Sequence, residues 1–162
     1  MKRRYTPVLA VGIGVVAGLR ALTAPAVLAW AVQRRWIRLR NPPFTAILSA
    51  KASKRITDFA ISELIADKLP FTPSRLKAGP LASRIVSGAV CGAAINGVAE
   101  RPLAEGAVLG GVGAIAGALA GYYTRKKLSG DRPNLGLAVL EDALAIGGGI
   151  IIIALVAPIR ER

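Results

Sequence analysis

The residues able to do chemistry in this chain are ionic, and most of them stand where ions are costly. Arg20 lies inside an apolar run over 6–32, with Pro25 following a little more than one turn later. Glu63 and Asp67 are spaced so that, at about 100° per residue, they leave a helix on one face, shared with Ile56, Phe59 and Ala60. Glu141 and Asp142 stand near the start of another apolar helix, and Arg84 and Asn96 fall in a Gly- and Ala-rich stretch. A charge at the centre of a membrane helix costs on the order of 3 kcal/mol, so each needs a partner, a proton or water. Two carboxylates interrupting an apolar stripe repel one another unless a cation or basic side chains neutralise them. Arg20, Glu63, Asp67, Arg84, Asn96, Glu141 and Asp142 therefore form the candidate buried polar site. The chemistry that suits it is the binding or passage of an ion, a proton or an anionic solute.

Plainer readings stand beside this one. Arg20 and Arg84 can extend to lipid headgroups, Asn96 can bond helix to helix, and Glu141 with Asp142 can answer a helix dipole. Under them the charges only close salt bridges in a structural or lipid-interacting protein. Enzyme chemistry has few players: the chain has no His, and its single Cys91 rules out an intrachain disulfide or a multi-Cys metal site. No Gly-rich loop precedes a Lys-Ser or Lys-Thr pair, and Gly147-Gly148-Gly149 sits in an apolar run where packing explains it better than a nucleotide. No catalytic residue, metal ligand or cofactor is assigned.

The elements that must position these residues follow from composition. Of 162 residues, 22 are Lys or Arg against 9 acids, yet the mean hydropathy is +0.50. Charge and apolarity must therefore be segregated along the chain. Basic residues gather at the ends of apolar stretches, at Lys2 to Arg4, Arg34 to Arg40, Arg125 to Lys127, and Arg160 with Arg162. That placement suits anionic headgroups. It does not suit nucleic acid, which calls for a basic face interleaved with stacking aromatics.

Four stretches, 6–32, 81–98, 103–124 and 135–159, reach the roughly 20 apolar residues that a membrane-spanning helix needs. The first begins like a secretory signal but is too long for one. Segment 33–79 differs: Asn41-Pro42-Pro43 forbids a continuous helix, and 56–69 is helical in pattern but too short to cross. The expected fold is all-α, a multi-pass transmembrane helical bundle of about four spanning helices. It forms one domain over 1–162 in the cell membrane, with 33–79 interfacial or re-entrant. If each stretch crosses once, fourteen basic residues lie on one side and six on the other. The positive-inside rule then places both termini outside the cytoplasm. A break of the first stretch at Pro25, returning the chain to its starting side, would undo that count.

Small residues at four-residue spacing let helix backbones approach closely. Gly14 and Gly18, Gly88 and Gly92, and Gly113, Gly117 and Gly121 have this spacing in three successive stretches. They are expected to carry helix packing within the subunit or in a homo-oligomer.

Several strings together resemble a known family. They are Gly18-Leu19-Arg20-Ala21-Leu22-Thr23-Ala24-Pro25, Glu63-Leu64-Ile65-Ala66-Asp67-Lys68-Leu69-Pro70 with Thr72-Pro73-Ser74-Arg75, Arg84-Ile85-Val86-Ser87-Gly88-Ala89, the stretch from Gly117 to Arg125, and Glu141-Asp142-Ala143. In order and over nearly the whole chain they are similar to the bacterial membrane family known as domain of unknown function 4126. Asp-Lys-Leu-Pro and Glu-Asp-Ala are the most specific parts. The resemblance implies a small multi-pass membrane protein and supplies no activity.

Overall fold

The computed structural model describes residues 2–39, 50–66, 78–129 and 135–159. Its elements are α1 (Thr6–Leu19), α2 (Thr23–Gln33), α3 (Ala50–Ala66), α4 (Ala78–Val98), α5 (Leu103–Ser129) and α6 (Leu135–Val156), with short 3-10 turns at Lys2–Tyr5 and Ala157–Ile159. No strand occurs among the described residues. The all-α bundle expected from the sequence is therefore what forms. Among the described residues, three helices are long and apolar enough to cross a membrane: Ala78–Val98, Leu103–Leu128 and Gly136–Val156.

The first apolar stretch is not one helix. α1 ends at Arg20, whose backbone is extended (φ −143°, ψ 114°), and α2 starts at Thr23. Pro25 explains the position. A continuous helix would need the absent Pro25 N–H to bond the carbonyl of Ala21, against which its ring would clash. Breaking one turn earlier puts Pro25 in the first turn of α2, where an N–H has no helical partner anyway. The chain also reverses at this break. Gly12 lies against Ile152 and Gly148 against Val16, so α1 is antiparallel to α6; Gly149 lies against Val27, so α2 runs back alongside it. The break falls a turn before Pro25, but the chain does return to the side it came from.

The stretch 6–32 therefore does not cross once, and the Arg34 to Arg38 cluster lies at the end where α1 begins, which removes the basis for placing both termini outside the cytoplasm. The upper end of the bundle is defined here as the end where α1 begins and α2, α4 and α6 finish.

α3, inside segment 33–79, packs on α2. Ser53 and Ala60 are buried and Ile56 is half-buried, with Gln33 Nε2 donating to Ser53 Oγ at 3.3 Å. Lys54 and Asp58 pair on its open face at 3.2 Å. Phe59, expected on the same face as Ile56 and Ala60, points outward instead.

The centre of the bundle is made of α1, α4 and α5, and their contact is backbone against backbone. A Cβ at Gly14 would overlap the carbonyl of Gly110, at Gly18 that of Ala114, at Gly92 that of Gly106, and at Gly113 and Gly117 those of Val11 and Val15. A Cβ at Gly88 would meet the Gly110 carbonyl at 2.6 Å. Gly110 thus serves both neighbours of α5. Gly121 is buried on the same helix. The large side chains go outward: Val108, Val112, Ile115 and Leu119 of α5 and Val139, Leu144, Ile151 and Leu155 of α6 are exposed. Small inside and large apolar outside inverts a water-soluble core and is the arrangement that lipid favours.

A methyl group at Gly14 is expected to cost about 1–3 kcal/mol, the usual range for overpacking. Gly147, with nothing within 4 Å of a Cβ, is its control. Thermal melting in detergent should show a clear loss for Gly14→Ala and none for Gly147→Ala.

Candidate functional site

The helix break puts a charge where the backbone is already irregular. Arg20 is fully buried, and its Nη2 forms an ion pair with Asp142 Oδ1 of α6. Breaking the helix also frees the Ala21 carbonyl, which accepts a hydrogen bond from Ser87 Oγ of α4. Two different helices therefore hold the break, one by charge and one by a hydroxyl.

The adjacent acid faces elsewhere. Successive residues on a helix point about 100° apart, so when Asp142 meets the break, Glu141 turns toward α5. There Arg125 donates from Nε and Nη2 to Glu141 Oε2 at 2.8 and 2.6 Å. The Glu141 side chain is 6% exposed and that of Arg125 31%, so this second pair sits at the rim of the first. α6 begins at Leu135, which places the two acids in its second turn, beyond the first turn where a helix dipole acts. Their stabilisation comes from the arginines. At 1.5 Å per residue the Arg20 pair lies about 10 Å along α6 from its start.

Arg84 is on α4, one turn before Ser87, and is 4% exposed. It is buried at the same end of the bundle as the break. Asn96 belongs elsewhere. It is buried at the upper end and its Nδ2 donates to the Pro102 carbonyl at 2.9 Å, closing the α4–α5 turn, while a Cβ at Gly106 would press on it. Glu63 lies in the last turn of α3, and Asp67 lies outside the described residues. Of the candidate set, the structure gathers Arg20, Arg84, Glu141 and Asp142 toward the lower end and separates Asn96 from them.

Two participants escaped the sequence reading. Arg125 was counted with a basic loop, although it continues the four-residue spacing of Gly117 and Gly121 and so shares their helix face. Ser87 carried no signal of its own, because a hydroxyl matters here only once Pro25 has freed a carbonyl.

A bundle with small residues inside, large apolar residues outside and ion pairs at a broken helix defines a helical membrane protein. The family model for the domain of unknown function DUF4126 matches residues 8–160, and the chain belongs to that family. Comparison with curated proteins and with solved structures gave no match.

Asp142→Asn leaves the Arg20 cation buried without its counter-charge. Breaking a buried pair in this way costs about 3–5 kcal/mol, whereas Lys54→Ala, which breaks an exposed pair one helical turn apart, costs about 0.5 kcal/mol or less. Melting of the two variants in one detergent checks the contrast. Equal, small losses would show that the Arg20 pair is solvated.

Proposed function

We propose that this chain is a small multi-pass protein of the cell membrane that binds or passes an ion, a proton or an anionic solute at the Arg20–Asp142 break. The observation that carries the reading is the coincidence of three features at one place: an interrupted helix, a fully buried arginine and a buried acid on a facing helix. An ion pair alone needs no interrupted backbone. Irregular backbone at membrane depth is tolerated where protein or a polar path surrounds it, and transporters place their sites where helices are discontinuous. Arg84 and the Arg125–Glu141 pair supply further charge at the same end, so the site can exchange one counter-ion for another without leaving any charge in hydrocarbon.

A second reading is favoured by one specific observation: Arg20 is closed by Asp142 and Arg125 by Glu141, so the charges match in pairs. In that reading the pairs only lock α6 onto the break and onto α5, and the protein is structural or lipid-interacting.

Flux separates the two. Purified protein in sealed liposomes should carry a proton or small-anion current above that of empty liposomes. Arg20→Gln and Asp142→Asn should each lower it at least tenfold, as for loss of a group that contacts the moving ion. The structural reading instead expects no flux from the native protein, and recovery of melting temperature when Arg20→Asp is combined with Asp142→Arg.

A further inference from the structure

We infer that the upper end of the bundle is its cytoplasmic end, and that a collar of arginines and tryptophans there docks onto the anionic headgroups of that leaflet. The inference starts from the chain reversal and is independent of the function proposed above. Because α2 returns beside α6, Arg34, Arg35 and Arg38 share an end with the Lys2 to Arg4 cluster, and with Arg101, which follows α4 and is engaged by Glu105. At the opposite end the described residues offer Lys126 and Lys127, with Arg125 engaged by Glu141. Basic residues near helix ends set orientation, and the richer side faces the cytoplasm. The structure thus turns the molecule over relative to the count made on a single first crossing.

The collar has the build of a headgroup contact. Trp30 and Trp36 meet edge to face, with ring centroids 4.8 Å apart, and are 39% and 42% exposed. Arg34 lies over the Trp30 ring, 5.5 Å from its centroid. Half-exposed tryptophans belong at the membrane–water boundary, and an arginine stacked on one is held at that depth. Arg34, Arg35 and Arg38 are all exposed. Beneath them Ile37 and Leu39 are buried in the core, which fixes the segment on the bundle.

The backbone fixes the position of the collar. α2 ends with Trp36 N–H bonded to the Ala31 carbonyl and Arg35 N–H to that of Val32, at 2.9 and 3.0 Å. This helix stop puts Arg35 in the left-handed region, φ 59°, a position that glycine fills without strain. A chain that uses Gly freely elsewhere has an arginine here, at a conformational cost. The same conformation occurs at the exposed Glu100, φ 54°, at the end of α4, so the stop fixes where Arg35 leaves the helix and does not by itself select its charge.

Both tryptophans of the chain are in the collar, so its fluorescence reports on this place alone. Full-length protein in vesicles should be quenched more strongly by brominated phosphatidylglycerol than by brominated phosphatidylcholine at equal mole fraction. Basic residues near an anionic surface bind strongly enough that each removal should lower the lipid preference by about fivefold. The variant carrying Arg34→Gln, Arg35→Gly and Arg38→Gln should therefore show no preference. Arg35→Gly alone should weaken the preference in part, by about the fivefold expected of one basic residue. Equal quenching of the native protein by the two lipids would overturn the collar, as would a preference that survives in the triple variant. For orientation, a fluorescent protein fused after Arg162 should light up in a bacterial host and an alkaline phosphatase fused there should stay inactive. An active phosphatase fusion would overturn the cytoplasmic assignment.

Discussion

The ion pair between Arg20 and Asp142 is the constraint from which the rest of the arrangement follows. A guanidinium buried to zero exposure among apolar helices must meet an anion, and the anion here sits on the last helix of the bundle. Meeting it fixes the depth of the first break, the rotation of α6 and, through the neighbouring Glu141, the approach of α5. Small residues of α6 also face this pair, with Gly148 against Val16 and Gly149 against Val27, so shape and charge favour the same register.

The centre of the bundle is held by a different force. Where α1, α4 and α5 meet through their glycines, carbonyl groups of one helix stand where methyl groups of another would be. In lipid, large apolar side chains gain little by turning inward, so backbone proximity and dispersion contact decide which helices touch. The bundle thus has two kinds of contact, close and uncharged in the middle, ionic toward one end. The buried ion pairs lie at the end where the first apolar stretch is broken.

Much of this was legible in the sequence, for physical reasons that differ from helix to helix. The stretches read at 81–98, 103–124 and 135–159 became α4, α5 and α6 with modest changes at their ends, because Pro80, Pro102 and the basic runs punctuate long apolar segments. The family resemblance was legible too, through short strings such as Glu141-Asp142-Ala143. The first stretch was harder. Its apolar run is unbroken by composition, and Pro25 marks the break one turn late, since a proline disrupts the turn that precedes it. Arg125 was hidden because a basic residue near a helix end looks like a headgroup contact until a buried acid is found opposite. Phe59 was assigned by periodicity to a buried face, but lipid is as acceptable to it as the protein interior, so periodicity in such a chain separates polar from apolar and not inside from outside.

The reversal at Arg20 to Leu22 decides how this hairpin can be held. α1 and α2 have 14 and 11 residues, each short for a membrane crossing, and their shared tip carries a cation. Its counter-charge lies on α6 and its hydroxyl donor on α4, so neither comes from within the hairpin. The depth at which α1 and α2 sit is therefore set by the helices that close around their tip and not by the length of either one.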